Sequence, residues 1–487
     1  MARAVVLGGG ISGLSSAFYA LQEGAPAKFA KVALLEASER FGGWLHSTKY
    51  QDGTVFDYGP RSFRPEANPG LNTVDLALKL GLRDDIIIAE KGDILDNRYI
   101  YNDQTLQELK FGIDKLFKVV PPLKKRLISY IIQDIRAAKG TEDESVHSFV
   151  SRRYGKDAAD FLADPMLRGI YAGDVRKLSI RSTLPKLYEM EKRKRRTLTT
   201  SYPKTPYVHK ALQDYVSNWS VWSLRGGCQQ LSDALVGHLS RPEMPTELHT
   251  SSPCTKLTFK DGAALVTSEK GEITTDHVFS SLYAGDLAKI LPEEHGELAE
   301  ELDGIPAVSV VVVNLEYPVE SPIKGFGHLL PSSEDGPILG VVYNSCVFPQ
   351  QDKKFSMGKV SRFTVMLGGA WYDQLLERLD GSLNPNGIAR LANEVVSDHL
   401  NITEKPLKVD VIIQNDCIPQ YLVGHNERVE RIFKYIKDKN LPLSLVGSSY
   451  KGVSVNDCIY NSKLAVERLT GLPPYVAPDI PKAHFLH

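Results

Sequence analysis

The 487-residue chain is 42% hydrophobic and 24% charged, with a formal net charge of −1. This composition indicates a globular protein with two or three packed regions and gives no reason to expect general nucleic-acid binding. The five cysteines are scattered without a CxxC pair, which argues against a disulfide scaffold or a structural metal site. No apolar run approaches the ~18 residues of a membrane-spanning helix. Because a strand-like segment begins almost directly after Met1, we expect a soluble or peripheral, intracellular protein without a cleavable presequence.

A phosphate-binding loop stands at the beginning of the chain. An apolar strand pattern over residues 4–7 precedes the loop, and a helical pattern of small residues over 12–21 follows it. In such loops one glycine permits the tight turn, a second lets the backbone approach a pyrophosphate, and a third lets helix and strand pack closely. The phosphates then lie at a helix N-terminus, where the helix dipole favours negative charge. The loop consists of Gly8, Gly9, Gly10, Ile11, Ser12 and Gly13.

An acidic residue at the end of the next predicted strand supports this interpretation. The apolar residues 32–35 end in Glu36, which lies 23 residues beyond Gly13. A carboxylate that accepts hydrogen bonds from ribose hydroxyls is expected about 20 residues after the loop. Strand, loop, helix and acid together predict a dinucleotide-binding fold, but they do not separate FAD from NAD.

Two further segments favour FAD. The first holds Arg40, a glycine pair that ends in Gly43, and Trp44; the second is Gly59-Pro60-Arg61-Ser62, after a strand-like stretch at 55–58. With these segments the chain resembles the flavoprotein superfamily that holds amine oxidases, phytoene desaturases and protoporphyrinogen oxidases. The resemblance implies that the glycine pair passes beside the FAD diphosphate, that the arginine supports it, and that the second segment lies near the flavin ring.

The C-terminal part of the chain carries another predicted FAD segment. An apolar strand over residues 443–446 ends in a glycine turn, and residues 448–455 lead into a predicted helix that continues to about Leu469. The resemblance implies that this helix N-terminus points at the flavin pyrimidine, where its dipole stabilises the negative charge of reduced flavin. It also implies contacts on the adenine side from Pro253 and Cys254. The contacts implied at the C-terminal end are Ser448, Val453, Ser454 and Val455.

The predicted fold class is α/β. A Rossmann-like FAD-binding domain is expected from residues 1–92, 218–300 and 408–487, and is thus built from both ends of the chain. Residues 301–407, with strand patterns at 308–315, 338–343 and 363–367, predict a substrate-binding domain with a mixed sheet. Residues 93–217 predict a helical insertion. Apolar residues mixed with lysine and arginine at 111–128 and 191–196 suit a surface that lies on an anionic membrane, and an ordinary solvated helical face is the alternative.

Within the superfamily, several segments resemble the animal-type protoporphyrinogen oxidases. They are residues 57–61, 167–174, 177–182, 222–227, 325–329 and 450–458, and the resemblance extends from Arg3 to about Leu472. It implies oxidation of protoporphyrinogen IX to protoporphyrin IX, with non-covalent FAD as hydride acceptor and O2 as its reoxidant. It also implies a homodimer, peripheral on the intermembrane-space side of the mitochondrial inner membrane, and a possible handover of product to ferrochelatase.

A large flat tetrapyrrole with two propionates requires an apolar slot and one or two cations at its mouth. The resemblance implies that Arg98 binds a propionate and that Arg61 lies beside flavin and pocket. Arg98 stands among apolar and aromatic residues in the sequence, and an arginine buried there would need an anionic partner. We interpret His328 as a hydrogen-bonded structural histidine rather than a base. The implied apolar walls are Leu167, Phe326, Leu329 and Met366.

Two other functions fit parts of the sequence. An amine oxidase of the same fold is the nearest alternative, and members with covalent flavin carry a cysteine near the C-terminal flavin segment. Cys458 lies close to that segment, but it falls inside the predicted helix, so we expect it to be a packing residue. The other alternative is a non-catalytic protein that binds FAD or porphyrin and has kept the fold.

Overall fold

The computed structural model describes residues 2–22, 29–92, 97–110, 113–140, 142–194, 197, 210–353 and 359–470. These residues form a parallel sheet, a mixed sheet and a unit of packed helices. The strands are β1 (Ala2–Leu7), β2 (Phe29–Leu35), β3 (Ser47–Lys49), β4 (Val55–Asp57), β5 (Ile86–Glu90), β6 (Arg98–Asn102), β7 (Thr105–Glu108), β8 (Trp219–Leu224), β9 (Thr246–His249), β10 (Cys254–Lys260), β11 (Ala263–Ser268), β12 (Gly271–Thr275), β13 (His277–Ser280), β14 (Ala307–Tyr317), β15 (Gly327–Leu329), β16 (Ile338–Tyr343), β17 (Ser361–Gly368), β18 (Lys408–Pro419) and β19 (Leu443–Leu445). The helices are α1 (Ile11–Ala20), α2 (Ala67–Lys79), α3 (Leu127–Arg136), α4 (Val146–Tyr154), α5 (Lys156–Ala158), α6 (Asp164–Tyr171), α7 (Ile180–Thr183), α8 (Pro185–Lys194), α9 (Lys210–Tyr215), α10 (Gln229–Leu239), α11 (Ala284–Ile290), α12 (Gly296–Asp303), α13 (Asn344–Val347), α14 (Tyr372–Arg378), α15 (Pro385–Leu400), α16 (His425–Asp438) and α17 (Val455–Thr470).

The parallel sheet places the predicted nucleotide loop. Its strand order is β19-β13-β1-β2-β9, and every neighbouring pair is parallel. Both faces are covered, by α1, α10 and α17 on one side and by α11, α12 and α16 on the other. The central strands β1 and β2 accordingly contain the continuous apolar runs at 4–7 and 32–35, as expected of strands buried on both faces. They come from both ends and the middle of the chain, the arrangement predicted for the cofactor domain.

The mixed sheet has seven strands in the order β18-β14-β17-β16-β15-β6-β7, and β6 pairs with β15 in parallel. One face is buried against α14 and α15 through alternate residues such as Val311 and Val313. The other face meets the loop that follows β4, where Asn314 donates to the Asp57 carbonyl (3.0 Å) and Gln414 donates to the Tyr58 carbonyl (3.0 Å). We call this second face the flavin-side face.

Two of the predicted domain boundaries are wrong. Strands β6 and β7, predicted to belong to the helical insertion, are edge strands of the mixed sheet, and β18, predicted to belong to the FAD domain, pairs with β14 over most of its length. The long-range pairing of a short strand is decided by its partner, which local sequence does not reveal.

Helices α3 to α8 form the helical unit around a separate core that includes Phe149 and Tyr154. The basic-apolar stretch at 113–126 contributes only a short 3-10 turn, and α3 begins after it. Glu191, in the second basic run, is buried rather than part of a surface; Phe111, Gly112, Arg195 and Arg196 lie outside the described residues. None of the helices within the described ranges is long and apolar enough to cross a membrane.

Candidate FAD and substrate site

The two glycine segments of the N-terminal block pack against each other. Gly8 adopts a left-handed φ of 91°, and Gly10 precedes α1 without a cap from any described side chain. The Gly42 amide donates to the Gly9 carbonyl (2.8 Å). A Cβ on Gly43, whose φ is 56°, would lie 3.1 Å from the Gly10 Cα. The backbones approach this closely because neither carries a side chain, which leaves the amides of the α1 N-terminus open to an anion.

The predicted ribose acid lies beside this loop. Glu36 accepts a hydrogen bond from the Gly9 amide through one oxygen (2.7 Å) and from the Ser38 amide and hydroxyl through the other (2.7 Å each). Ser38 was not predicted from the sequence, and its place two residues after the acid is the signal that could have revealed it. Arg40 donates to the Gly43 carbonyl at 2.5 Å, so it supports the second glycine segment through the backbone.

The segment predicted for the adenine side lies next to Glu36. The Ser252 amide donates to the Glu36 carbonyl (2.8 Å), which places Pro253 and Cys254 at the end of β2. The Cys254 thiol donates weakly to the Lys256 carbonyl (3.5 Å), and burial raises the pKa of the thiol to about 11. Cys254 is therefore a protonated, unreactive packing residue whose backbone is what borders the nucleotide site.

The C-terminal segment also converges on the glycine loop. Ser462 of α17 donates to the Ser12 carbonyl (2.9 Å), so α17 is fastened to α1. Ser454 caps α17, since its hydroxyl accepts from the Asp457 amide (3.1 Å). Residues 448–455, predicted to meet the flavin, thus lie at the N-terminus of a long helix beside the phosphate loop. Cys458 is buried inside α17, in agreement with a packing role.

The loop that follows β4 carries a half-buried arginine, Arg61. Arg61 donates to the Gly59 carbonyl (3.3 Å), and its Nη1 is buried without a hydrogen-bond partner among the described residues. Burial lowers the pKa of Arg61, while the nearby carboxylate of Asp57 opposes that shift. A Cβ on Gly59 would lie 2.2 Å from the Trp44 carbonyl, so the backbone of Gly59 packs directly against Trp44. Pro60 and Ser62 follow in the same loop.

These features fit FAD. The uncapped helix N-terminus and the bare glycine pair suit a diphosphate, and Glu36 suits a ribose. The unpartnered Nη1 of Arg61 offers a cationic donor at the side where the flavin ring is expected. No group of described residues could hold a metal ion.

Arg61 and Phe326, both predicted to border the substrate pocket, lie close together. They line one small cavity between the loop and the mixed sheet, together with Asp57, Ser62 and Val342. Burial raises the pKa of Asp57, which accepts hydrogen bonds from Ser47 (2.6 Å) and the Cys228 amide (2.9 Å). Asp57 was not among the predicted site residues, because an acid at the end of a strand gives no local indication of burial.

Two glycines lie near the centre of the flavin-side face of the mixed sheet. Across the strands, one row reads Arg98, Gly327, Val342, and the next reads Leu329, Gly340, Met366. Paired residues share a face, so the sheet backbone carries no side chain at these two positions, and we call this stretch the glycine floor. Glycines inside strands were the sequence signal for this floor. Arg98 stands at its edge with an exposed side chain, and hence needs no buried anionic partner.

Leu167 does not lie on this floor. It is fully buried in the core of the helical unit, and the open side of α6 carries Met166 and Ile170 instead. A Cβ on Gly169 of the same helix would lie 2.9 Å from a Leu329 methyl, so α6 packs against the predicted wall at Leu329. Leu167 is adjacent in α6 to the exposed Met166, and the sequence alone does not define which side of the helix faces the core.

His328 lies on the opposite face of the sheet, away from the site. Its ring nitrogens are 2.8 Å from the Tyr343 hydroxyl and 2.9 Å from His399 Nδ1. Burial and the neighbouring His399 lower the pKa of His328 well below its usual value. The geometry agrees with the structural role predicted for it.

Comparison with known proteins identifies the family. Residues 11–468 match the family described as flavin containing amine oxidoreductase. The protoporphyrinogen oxidases of Bos taurus and Homo sapiens are 39% and 38% identical to this chain over 479 and 482 residues, each with coverage of 96% of this chain and 98% of the relative. A solved structure, a putative protoporphyrinogen oxidase from Exiguobacterium sp. 255-15, shares the fold with a TM-score of 0.77 at 20% identity, over 96% of this chain and 98% of that one. The chain is therefore an FAD-dependent oxidoreductase that belongs to the flavin containing amine oxidoreductases and, within them, to the protoporphyrinogen oxidases.

Proposed function

We propose that this chain oxidises protoporphyrinogen IX to protoporphyrin IX, the penultimate step of haem biosynthesis. The observation that carries the proposal is the flavin-side face, where the glycine floor and its apolar neighbours Leu329 and Met366 lie on a sheet with the exposed Arg98 at one side and Arg61, which lines the adjoining cavity, at the other. A flat, largely apolar macrocycle with anionic substituents matches this combination. The relatives named above carry the same activity in their names.

When bound, FAD would supply the oxidising chemistry for the three two-electron oxidations as hydride acceptor, with O2 as the final electron acceptor and H2O2 as its product. The chain's own residues bind and orient the substrate. Arg98 would pair with a propionate at the open edge of the sheet, as an exposed guanidinium can without a desolvation cost. Leu329 and Met366 would confine the ring plane, and the loop at Gly59 and Arg61 would hold the flavin against it.

The test is an anaerobic titration of the FAD-loaded protein with protoporphyrinogen IX, followed by the visible absorption of oxidised flavin. We expect bleaching in proportion to added substrate, and recovery of the flavin band with porphyrin fluorescence when air is admitted. Arg98→Met should raise KM by about tenfold, the loss expected for one charge-assisted contact, with kcat nearly unchanged. A flavin band that stays unchanged while substrate remains intact would refute the assignment of substrate.

The same experiment separates the two alternatives. An amine oxidase of this fold would be bleached by a member of an amine panel and not by protoporphyrinogen. A non-catalytic FAD- or porphyrin-binding protein would be bleached by neither. Acid precipitation should release the flavin into the supernatant, since the one cysteine near the C-terminal flavin segment, Cys458, is buried inside α17.

We further propose that the helical unit rests on an anionic membrane surface. Phe117 and Val119 are 69% and 50% exposed, and Ile132 and Ile135 of α3 are 41% and 44% exposed. Exposed lysines and arginines flank them at 118, 124–126, 136 and 139. Exposed apolar groups ringed by cations suit the interface of an anionic bilayer, to which each cation contributes about 1 kcal/mol.

Sedimentation with liposomes tests this surface. Phe117→Ser should reduce binding to vesicles that contain anionic lipid, whereas Leu407→Ser, a comparably exposed apolar residue on the mixed sheet, should not. Equal binding by both variants and the wild type would contradict the proposed surface.

The remaining proposals concern the setting of the enzyme. From the resemblance we propose a homodimer on the intermembrane-space side of the mitochondrial inner membrane, with handover of its product to ferrochelatase. Sedimentation velocity tests the dimer, and protease protection in intact and swollen mitochondria tests the location. A monomer at micromolar concentration, or protection after the outer membrane is opened, would refute the respective proposal.

A further inference from the structure

Two stacked side chains hold the turn that is expected to meet the flavin. The turn comprises residues 448–452, between β19 and α17. The Tyr421 hydroxyl donates to the Ser448 carbonyl (2.5 Å) and accepts from the Gly452 amide (2.9 Å), so one side chain joins both ends of the turn. His425 Nε2 lies 3.1 Å from the carbonyl of Tyr450, at the middle of the turn.

The histidine must donate this bond, because a carbonyl oxygen only accepts. Its Nε2 therefore carries the proton. Burial lowers the pKa of His425 to about 4, so the ring is neutral at physiological pH. The rings of His425 and Tyr421 stack with centroids 4.1 Å apart and planes 14° from parallel. Both side chains are buried, at 4% and 1% exposure, so each restrains the orientation of the other.

The turn packs directly against the first turn of α17. Gly452 adopts a φ of 98°, and a Cβ there would lie 2.6 Å from the side chain of Asp457. A displacement of the turn would therefore move the N-terminus of α17 relative to the glycine loop.

The same stacked pair is attached to the helical unit. The Ser179 amide donates to the Tyr421 carbonyl (2.8 Å), and the Val423 amide donates to the Lys177 carbonyl (3.1 Å). The ring of Tyr171 meets that of Tyr421 at its edge, with centroids 5.7 Å apart. Through Tyr421, the turn is thus in contact with the helical unit as well as with the cofactor domain to which it belongs.

We propose that Tyr421 and His425 are positioning residues for the flavin: they fix the backbone of residues 448–452 and, through it, the helix end that stabilises reduced flavin. Neither side chain is expected to touch FAD. The inference rests on the placement of FAD against residues 448–455, and on the flavin-dependent function proposed above.

The test compares four variants in FAD affinity and reduction potential. Tyr421→Phe removes only the hydroxyl, and His425→Phe keeps the stacked ring but removes the donor. His425→Gln keeps an N–H donor at a similar reach. Tyr171→Phe is the matched control, a buried tyrosine against the same ring pair that does not contact the turn.

We expect FAD to dissociate about tenfold more readily from Tyr421→Phe and from His425→Phe, because buried backbone groups of the turn lose their partners. The reduced flavin should lose about another tenfold in affinity, which shifts the two-electron potential by about 30 mV to more negative values. His425→Gln should recover most of both effects, and Tyr171→Phe should show neither.

The potential is measured by dithionite titration against a reference dye, so no substrate is needed. If the phenylalanine variants lower thermal stability but leave affinity and potential at wild-type values, the positioning role is refuted. The proposal is also refuted if all four variants bind FAD with the same reduction potential as the wild type. Failure of protoporphyrinogen to reduce the wild-type flavin would overturn only the assigned substrate, because the dithionite titration is independent of it.

Discussion

The helical unit contains a buried ion network whose disruption has a calculable cost. Arg153 of α4 donates to Asp134 of α3 at 2.9 and 2.5 Å and to Glu191 of α8 at 2.5 Å. The side-chain exposures of the three are 0%, 0% and 2%. Arg153→Met removes the cation and fills most of its volume with an apolar chain. It removes the Arg153 charge from the buried Asp134 carboxylate, which keeps its hydrogen bonds from the Thr197 amide and hydroxyl (2.9 Å each).

The expected loss is about 3–5 kcal/mol, the range for removal of one partner from a buried ion pair. Glu191 keeps a second arginine, Arg152, at 2.9 Å. Asp134→Asn in the Arg153→Met background removes the charge of the Asp134 carboxylate and should recover at least half of the lost free energy. The protein has more than one packed unit, so a single melting temperature does not isolate this effect.

Native-state hydrogen exchange of the amides in α3 and α4 is therefore the assay, since it reports the free energy of opening of that unit. Arg153→Met should lower it by about 3 kcal/mol or more, and the double variant should be closer to the wild type than the single one. A single variant within about 1 kcal/mol of the wild type, or a double variant less stable than the single, would refute the reasoning.

Three further predictions concern the cofactor site and the mixed sheet. Glu36→Gln should weaken FAD binding to the apoprotein by about tenfold in a fluorescence titration, because the ribose loses a charged acceptor; unchanged affinity would contradict the ribose role. Gly43→Ala should weaken FAD binding at least as strongly, because alanine at φ 56° is strained by about 1–2 kcal/mol and its methyl would meet Gly10. An alanine substitution at a similarly exposed loop position away from the site should leave FAD binding unchanged. The pKa of His399 is lowered to about 4 by burial, so its contribution to stability is complete above pH 6.5 and is lost as the pH falls toward 4. The free energy of opening of α15, measured by native-state hydrogen exchange, should fall over this window, and less steeply in His399→Gln.

The cofactor domain could be predicted from the sequence because its motifs consist of residues that are close together in the chain. A glycine loop between a strand and a helix fixes the backbone path over a few residues, and Glu36 lies where the spacing predicts. The helix predicted from residue 455 begins at Val455, and the strand predicted at 338–343 is β16 (Ile338–Tyr343). In each case the residues that define the element are neighbours in the chain.

The features that sequence did not reveal depend on contacts between distant segments. Leu167 was placed on the pocket wall, but which side of α6 faces the core is decided by packing against helices whose orientation no local pattern gives. The contacts of Tyr421 and His425 with the turn at 448–452 also depend on the fold. A tyrosine followed four residues later by a histidine is common, and only the fold brings both to a turn about thirty residues away.

The strand from Gly327 to Leu329 shows how closely the site depends on strand periodicity. Successive side chains in a strand point to opposite faces, so Gly327 and Leu329 lie on the flavin-side face while His328, between them, lies on the core face. A shift of register by one residue would place a histidine on the floor and bury the leucine. The register is held by the pairing with β16, where a Cβ on Gly327 would lie 2.3 Å from the Val341 carbonyl. The apolar side chain on the flavin-side face and the position of the histidine on the core face are therefore specified by the same strand pairing.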